Sequence, residues 1–234
     1  MKYYYINLEN AVDRRKQIEL QFQLNDVSFH RVEAFLYNNN NNHIKTIKGN
    51  KENACIRSHI KAIFEFVMNS KDEYAMICED DLTFEFKKYW KCTPDEVVKN
   101  APVDYGIIQL AIIFARINKS KDIWNNLNTY FKWGEVRDVG SCLAYVINRK
   151  CAIEVLNFYL KHSDNVYNGQ IFAAADSGNG IYGIVNKYTN FTAYTYKYPM
   201  FIYPDNNNTQ LDNCLNNQKA SKRQVISYLA GNNL

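Results

Sequence analysis

Three consecutive carboxylates, Glu79-Asp80-Asp81, directly follow the apolar run 74–78. The apolar run predicts a buried strand, and acids at its end must be solvated, paired or bound to a cation because an isolated buried carboxylate is costly. Side chains alternate along an extended chain, so we expect Glu79 and Asp81 on one face and Asp80 on the other. Two carboxylates on one face suit a hard divalent cation that also holds phosphates. A solvated acidic turn is the alternative interpretation.

The bulk composition predicts one large domain that tolerates anionic ligands. The chain has 234 residues, 47% of them apolar, and a net charge of +4. This charge permits a nucleotide ligand but is too weak and too scattered to favour nucleic acid binding. Polar residues interrupt the N-terminus, so it does not read as a signal peptide. The longest apolar stretch, 107–115, is too short to span a bilayer, and we expect a soluble protein.

Cysteine spacing favours a reducing compartment. None of the six cysteines forms a CxxC pair or has a histidine at zinc-finger spacing. We therefore expect reduced thiols and a cytoplasmic protein. The abundance of Asn, Lys, Ile and Tyr is typical of an AT-rich genome, such as that of a giant virus, in which case the compartment is the host cytoplasm.

Strands alternate with helices along most of the chain. Strands are predicted at 3–8, 27–32, 74–78, 105–111 and 141–148, and helices after Asn10 and at 52–69 and 150–160. The segment 176–180 is expected to be a turn-rich loop, and 194–203 an extended aromatic segment. The alternation predicts an α/β sandwich with a mainly parallel sheet, whose ligands lie outside the carboxyl ends of the strands. The chain lacks a glycine-rich phosphate loop, so something else must hold the phosphates if a nucleotide binds, and a metal on the acidic triad would do that.

Six segments in order resemble glycosyltransferase family 25, which contains lipooligosaccharide and collagen galactosyltransferases. The similarity runs from residue 3 to about 204, although Asn53 and Ala54 stand where the family usually has Ile and Gly. The matching segments are Tyr5-Ile6-Asn7-Leu8 with Arg14-Arg15, 52–59, 74–82 with its Glu-Asp-Asp, 139–147, Ala175-Asp176 and Tyr198-Pro199.

The resemblance implies a GT-A type nucleotide-sugar transferase fold, an α/β/α sandwich, in a domain that spans residues 1–204. Residues 205–234 are then a polar tail, with a possible short helix at 224–230. The implied reaction is an inverting transfer of a hexose, galactose or glucose, from a UDP-sugar to a glycan or hydroxylysine acceptor. The implied cofactor is a divalent ion, Mn²⁺ or Mg²⁺, held by the acidic triad. The alternative is a non-catalytic module that binds a UDP-sugar or a glycan.

Residue roles carried over from the family concern the donor and the metal. Asp81 is the first metal ligand, with Glu79 as a second ligand or a ribose contact. Residues expected near the donor are Ile6, Asn7, Leu8, Ser58 and Asp80. Arg14 or Arg15 is expected to pair with a phosphate, and the alternative is that both arginines are solvated on the first helix.

Asp176 is the candidate base for the acceptor hydroxyl, with Asp138 and Asp164 as rivals. Three further features have two interpretations each. His59 is either a satisfied core histidine or a residue that borders the donor. Gln109 either bonds a neighbour or touches sugar, and the aromatic segment 194–203 either packs in the core or forms a sugar platform.

Overall fold

A computed structural model describes residues 1–36, 47–114, 123, 125, 128–135, 139–161, 177–204 and 215–231. Its strands are β1 Tyr3–Asn7, β2 Phe29–Glu33, β3 Tyr74–Glu79, β4 Tyr105–Gln109, β5 Ile113–Phe114, β6 Tyr130–Lys132, β7 Val139–Gly140, β8 Ala144–Asn148 and β9 Thr192–Tyr196. Its helices are α1 Val12–Leu24, α2 Ile47–Asn69, α3 Pro94–Lys99, α4 Arg149–Lys161, α5 Ser177–Tyr188 and α6 Leu215–Leu229, with a 3₁₀ turn at Glu85–Tyr89.

Seven strands form one mostly parallel sheet in the order β2-β1-β3-β8-β4-β9-β6. Strands β1, β2 and β3 are mutually parallel, and β8 lies antiparallel between β3 and β4. Strand β9 pairs parallel with β4, and β6, the outermost strand on that side, runs antiparallel to β9. Five of the seven strands therefore run in one direction. The carboxyl ends of β1, β3, β4 and β9 lie at the same end of the sheet, which we call its carboxyl edge.

Helices cover both faces of the sheet, which confirms the predicted α/β sandwich. In β3, Ala75 and Ile77 face a core formed with α2, α4 and α5. Met76 and Cys78 face a second core formed with α1 and α3. Alternate side chains of one strand are thus buried on opposite sides, which explains why the run reads as continuously apolar.

The predicted loop at 176–180 is wrong for Ser177 to Gly180, which form the first turn of α5. Glycine and asparagine disfavour a helix locally, but tertiary packing outweighs their propensity. Here Ile181, Tyr182 and Val185 are completely buried in the core beneath the sheet. Burial of this apolar stripe stabilises a helix that its polar first turn does not predict.

The aromatic segment 194–203 packs in the core, as one of its two interpretations predicted. Tyr194, Tyr196, Phe201 and Tyr203 are all buried. Tyr198 is half-buried, and its ring is stacked on that of Tyr228.

The terminal helix α6 is longer than the short helix expected at 224–230 and packs on the rest of the chain. Val225 is buried in a third apolar cluster with Phe86, Phe131 and Ile202. The boundary at residue 204 stays a prediction.

No helix in the described part of the chain is both long and apolar enough to cross a membrane.

Candidate active site

The ends of β1 and β3 place Asn7 beside the acidic triad, as their parallel pairing requires. Asn7 is 1% exposed and is the hub of a hydrogen-bond network. Its Nδ2 donates to Asp80 Oδ2 at 2.6 Å and to the carbonyl oxygen of Ala11 at 3.1 Å, at the start of α1. Its Oδ1 accepts from Arg31 Nε at 3.1 Å. With donors and acceptor all engaged, the orientation of this amide is set by its neighbours.

Asp80 is buried and bound by two groups. Besides Asn7, the guanidinium of Arg14 approaches Asp80 Oδ1 to 3.1 Å. Burial nevertheless raises the pKa of Asp80 above its ordinary value, because desolvation outweighs the lowering by Arg14 and by the Asn7 hydrogen bond, and the Glu79 charge adds to the rise. Arg14, which we expected near phosphate, therefore has an intramolecular carboxylate partner at this edge.

Glu79 points to the opposite side of the sheet from Asp80. Its Oε1 lies 3.4 Å from His59 Nε2 on α2, and the other ring nitrogen of His59 lies 3.2 Å from the Tyr145 hydroxyl on β8. His59 is completely buried, and both of its ring nitrogens have polar neighbours. It is a core histidine, as one of its two interpretations predicted, and it also contacts Glu79 of the acidic triad.

Strand β3 ends at Glu79, and Asp80 and Asp81 lie in the turn that follows. Strict alternation therefore stops at Glu79, although Glu79 and Asp80 do face opposite ways. Asp81 is 9% exposed. Burial first, and then the charges of Glu79 and Asp81, raise the pKa of the Tyr203 hydroxyl. Glu79 and Asp81 therefore both lie near the same buried phenol.

Gln109 at the end of β4 is a structural hydrogen-bonding residue. Its Nε2 donates to the carbonyl oxygen of Ser141 at 3.1 Å, and its Oε1 accepts from the Thr195 hydroxyl at 2.8 Å. The Tyr182 hydroxyl on α5 donates to the same Ser141 carbonyl at 2.8 Å. Of the two interpretations of Gln109, the structure favours the hydrogen bond to a neighbour.

The other residues predicted near the sugar donor, Ile6, Leu8 and Ser58, do not belong to the hydrogen-bond network around Asn7. Ile6 is buried within β1, and Leu8 follows the strand half-buried. Ser58 is buried on α2, where its hydroxyl donates to the Ala54 carbonyl and accepts from the Phe35 backbone N–H at 2.9 Å. Ser58 therefore anchors the segment after β2.

The three candidate bases, Asp176, Asp138 and Asp164, lie outside the described residues.

Arg31 is the residue at this edge that the sequence did not predict. It lies in β2, and its guanidinium contacts both the side chain and the backbone carbonyl of Asn7. The parallel pairing of β1 with β2, with Tyr5 opposite Arg31, brings it there. A basic residue in the second strand of an α/β unit is the only sequence signal that could have indicated it.

The comparisons with known proteins identify the family. The family profile described as "Glycosyltransferase family 25 (LPS biosynthesis protein)" matches residues 1–167, more than half of the chain. The chain therefore belongs to glycosyltransferase family 25 and is a glycosyl-transferring enzyme. A comparison with curated protein sequences found no significant match.

Solved structures support the fold. The structure titled "Crystal structure of a glycosyltransferase involved in the glycosylation of the major capsid of PBCV-1" aligns over 98% of both chains, with 7% identity and a TM-score of 0.54. With this likeness, the predicted GT-A type glycosyltransferase fold is confirmed. Mouse xyloside xylosyltransferase 1 in its apo form aligns over 79% of this chain and 67% of that chain, with 10% identity and a TM-score of 0.33, which is too low to support an argument.

Proposed function

We propose that this enzyme is a metal-dependent inverting glycosyltransferase. It moves a hexose, galactose or glucose, from a UDP-sugar to a hydroxyl of a glycan or hydroxylysine acceptor. The observation that carries the proposal is the position of the Glu79-Asp80-Asp81 carboxylates at the carboxyl end of β3, where Asp80 is bonded to Asn7 of the neighbouring strand β1, in a chain of this family. In open α/β sheets this edge is where ligands bind.

Carboxylate oxygens are the donors that a hard divalent ion prefers, so the residues present fit Mn²⁺ or Mg²⁺. Asp81 is the proposed first ligand and Glu79 the second. When bound, the ion would neutralise the charge that develops on the UDP diphosphate as the glycosidic bond breaks.

The network around Asn7 would organise the donor side of the site. Arg31 and the Ala11 carbonyl orient the Asn7 amide, which in turn holds the Asp80 carboxylate. Asp80 positions the guanidinium of Arg14. A guanidinium has five N–H donors, so Arg14 could donate to a phosphate oxygen of the UDP-sugar as well. Ile6 and Leu8 flank Asn7 on the donor side, and Ser58 supports the neighbouring segment.

Asp176 is the proposed base that takes the proton from the acceptor hydroxyl. It directly precedes Ser177, the first residue of α5. The same helix is bonded to the carboxyl edge of the sheet through the Tyr182 hydroxyl and the Ser141 carbonyl.

A reducing compartment such as the cytoplasm belongs to the same proposal. Among the described residues, Cys55, Cys78, Cys92, Cys142 and Cys151 are thiols, not disulfides.

The test replaces Asp81 by Ala and measures UDP release from UDP-galactose and UDP-glucose, with a panel of hydroxyl acceptors and with Mn²⁺ or a chelator. We expect the wild type to require both the ion and an acceptor, and Asp81→Ala to lose about 100-fold or more in turnover. Glu73→Ala is the matched control, because Glu73 is an exposed carboxylate just before the opposite end of the same strand.

Normal turnover by Asp81→Ala would overturn the metal assignment. Tight binding of a UDP-sugar without hydrolysis or transfer across the whole acceptor panel would favour the non-catalytic module instead.

A further inference from the structure

Cys55, His59 and Glu79 bring three metal-ligating atoms together behind the acidic turn. Cys55 and His59 are four residues apart on α2, so they share the helix face that packs on the sheet. Glu79 ends the strand that this face covers. The Cys55 sulfur, a His59 ring nitrogen and a Glu79 carboxylate oxygen all lie within 4.8 Å of one another.

We propose that these three residues form a zinc-binding site, distinct in ligand chemistry from the hard-cation site on Asp81. A thiolate and an imidazole are the ligands that zinc prefers, whereas Mn²⁺ and Mg²⁺ prefer oxygen. The proposal concerns metal binding and does not depend on whether the enzyme transfers sugar.

The spacing of His59 and Glu79 suits a shared ion better than a direct hydrogen bond. Their 3.4 Å separation is longer than the usual ~2.9–3.0 Å of an N–H···O bond. Zinc–nitrogen and zinc–oxygen bonds of about 2.0–2.2 Å at a tetrahedral angle place the two ligand atoms about 3.4 Å apart.

The Cys55 sulfur needs to approach by at most about 1.2 Å, because its present separation is within 4.8 Å and zinc–sulfur bonds of about 2.3 Å give a ligand separation of about 3.6 Å. A rotation of the Cys55 side chain can provide this movement.

Tyr145 supplies the contact that a zinc-bound histidine requires. Its hydroxyl lies 3.2 Å from His59 Nδ1, so the ring can donate its Nδ1 proton to Tyr145 and present Nε2 to the ion. Glu79 has 26% of its side chain exposed and Cys55 is also partly exposed, which gives an ion a path into the site. Three protein ligands leave a fourth position for water.

The test measures metal binding to the full chain directly, since Glu79 is also a proposed ligand of the hard cation. Metal-stripped protein is titrated with Zn²⁺ against a chromophoric chelator, and in parallel with Co²⁺ as a spectroscopic substitute. We expect one zinc ion per chain at this site, and a thiolate-to-cobalt charge-transfer band together with the intense visible bands of tetrahedral Co²⁺.

Ligand variants should lose these signals. The loss of a supporting residue alone costs a metal site about 10- to 100-fold in affinity, so Tyr145→Phe should weaken zinc by about 10-fold while the charge-transfer band persists. Cys55→Ser should abolish that band and weaken zinc by about 100-fold or more. Glu79→Gln, at a partly exposed position, tests the site without altering the core.

Two variants serve as controls. Cys92→Ser changes a half-buried cysteine that packs against the core on the other face of the sheet, and Asp81→Ala removes the hard-cation ligand. Both should bind zinc as the wild type does.

Zinc affinity that is unchanged in Cys55→Ser and in Glu79→Gln, or a cobalt complex without the thiolate band, would overturn the proposal. Loss of zinc binding in Asp81→Ala but not in Cys55→Ser would place the ion on the acidic turn instead. An enzyme that transfers sugar with Mn²⁺ but binds no zinc would refute this site alone. Zinc bound through Cys55 without transfer would refute only the proposed function.

Discussion

Asp80 shows how two favourable contacts can fail to compensate for burial. An arginine and an asparagine both bind its carboxylate, yet its pKa is raised because the charged form has lost its water. An acid whose pKa is higher in the folded than in the unfolded state binds more protons when folded. Stability therefore falls as pH rises from the unfolded pKa through the raised folded pKa, and the decrease is complete above that range.

We predict that Asp80→Asn gains stability relative to the wild type as pH rises, because the amide cannot ionise. The quantity to measure is the difference in free energy of unfolding between variant and wild type, from urea titrations of metal-free protein at a series of pH values upward from 4. It should rise and then level off, by about 1.4 kcal/mol for each unit by which the Asp80 pKa is raised.

Glu73→Gln is the control for this series, since Glu73 is exposed and its replacement should give a nearly flat difference. A difference that falls with rising pH would mean that Arg14 and Asn7 outweigh the desolvation of Asp80.

At the scale of elements, the close packing of α4 and Phe191 on β4 explains why position 106 in this buried strand is a glycine. A Cβ atom added at Gly106 would lie 2.6 Å from both the Cys151 sulfur on α4 and the Phe191 Cβ before β9. Such distances are well inside van der Waals contact, so the helix can pack this closely on the sheet only because residue 106 lacks a side chain.

We predict that Gly106→Ala destabilises the protein by about 1–3 kcal/mol, because α4 or the Phe191 segment must move to accept the methyl group. Chemical denaturation measures the effect. Gly183→Ala is the matched control: a Cβ at this α5 position meets nothing within 4 Å, and alanine there should stabilise the helix by about 0.5–1 kcal/mol. If Gly106→Ala unfolds at the wild-type denaturant concentration, the packing of α4 on β4 is more adaptable than the distances imply.

At the scale of the whole molecule, helix α6 contributes Val225 to the third apolar cluster, whose other buried members all precede this helix in the chain. Val225 is completely buried against residues that come from far earlier in the sequence. Lys222, itself largely buried, forms an ion pair with Glu85 at 2.5 Å. These contacts link the last segment to the turn that follows the acidic triad.

We predict that Val225→Ala lowers the free energy of unfolding by about 1–3 kcal/mol, through lost burial and a residual cavity. Arg223→Ala, an exposed position on the same helix, should stay within about 0.5 kcal/mol of the wild type. Thermal unfolding followed by circular dichroism measures both.

A fragment of residues 1–204 tests the predicted domain boundary by the same measurement. Equal unfolding midpoints for the fragment and the full chain would show that α6 does not contribute to stability.

The sequence by itself determined the order of the main elements, the family and the position of the acidic triad. These are properties of local pattern: the continuous apolar run of β3 and the helical spacing in α2 can be read from consecutive residues. Helix α5 was missed because the glycines and asparagine of its first turn carry the opposite local signal, and its buried stripe becomes visible only against the sheet.

Only the tertiary structure decided the partners of each polar side chain at the site. Asp80 faces Arg14 and Asn7, Glu79 faces His59, and Arg31 reaches Asn7 from a neighbouring strand. These pairs join residues up to 73 positions apart in the chain. Strand order and register bring them together, and both depend on the burial of the whole core, which no local pattern encodes.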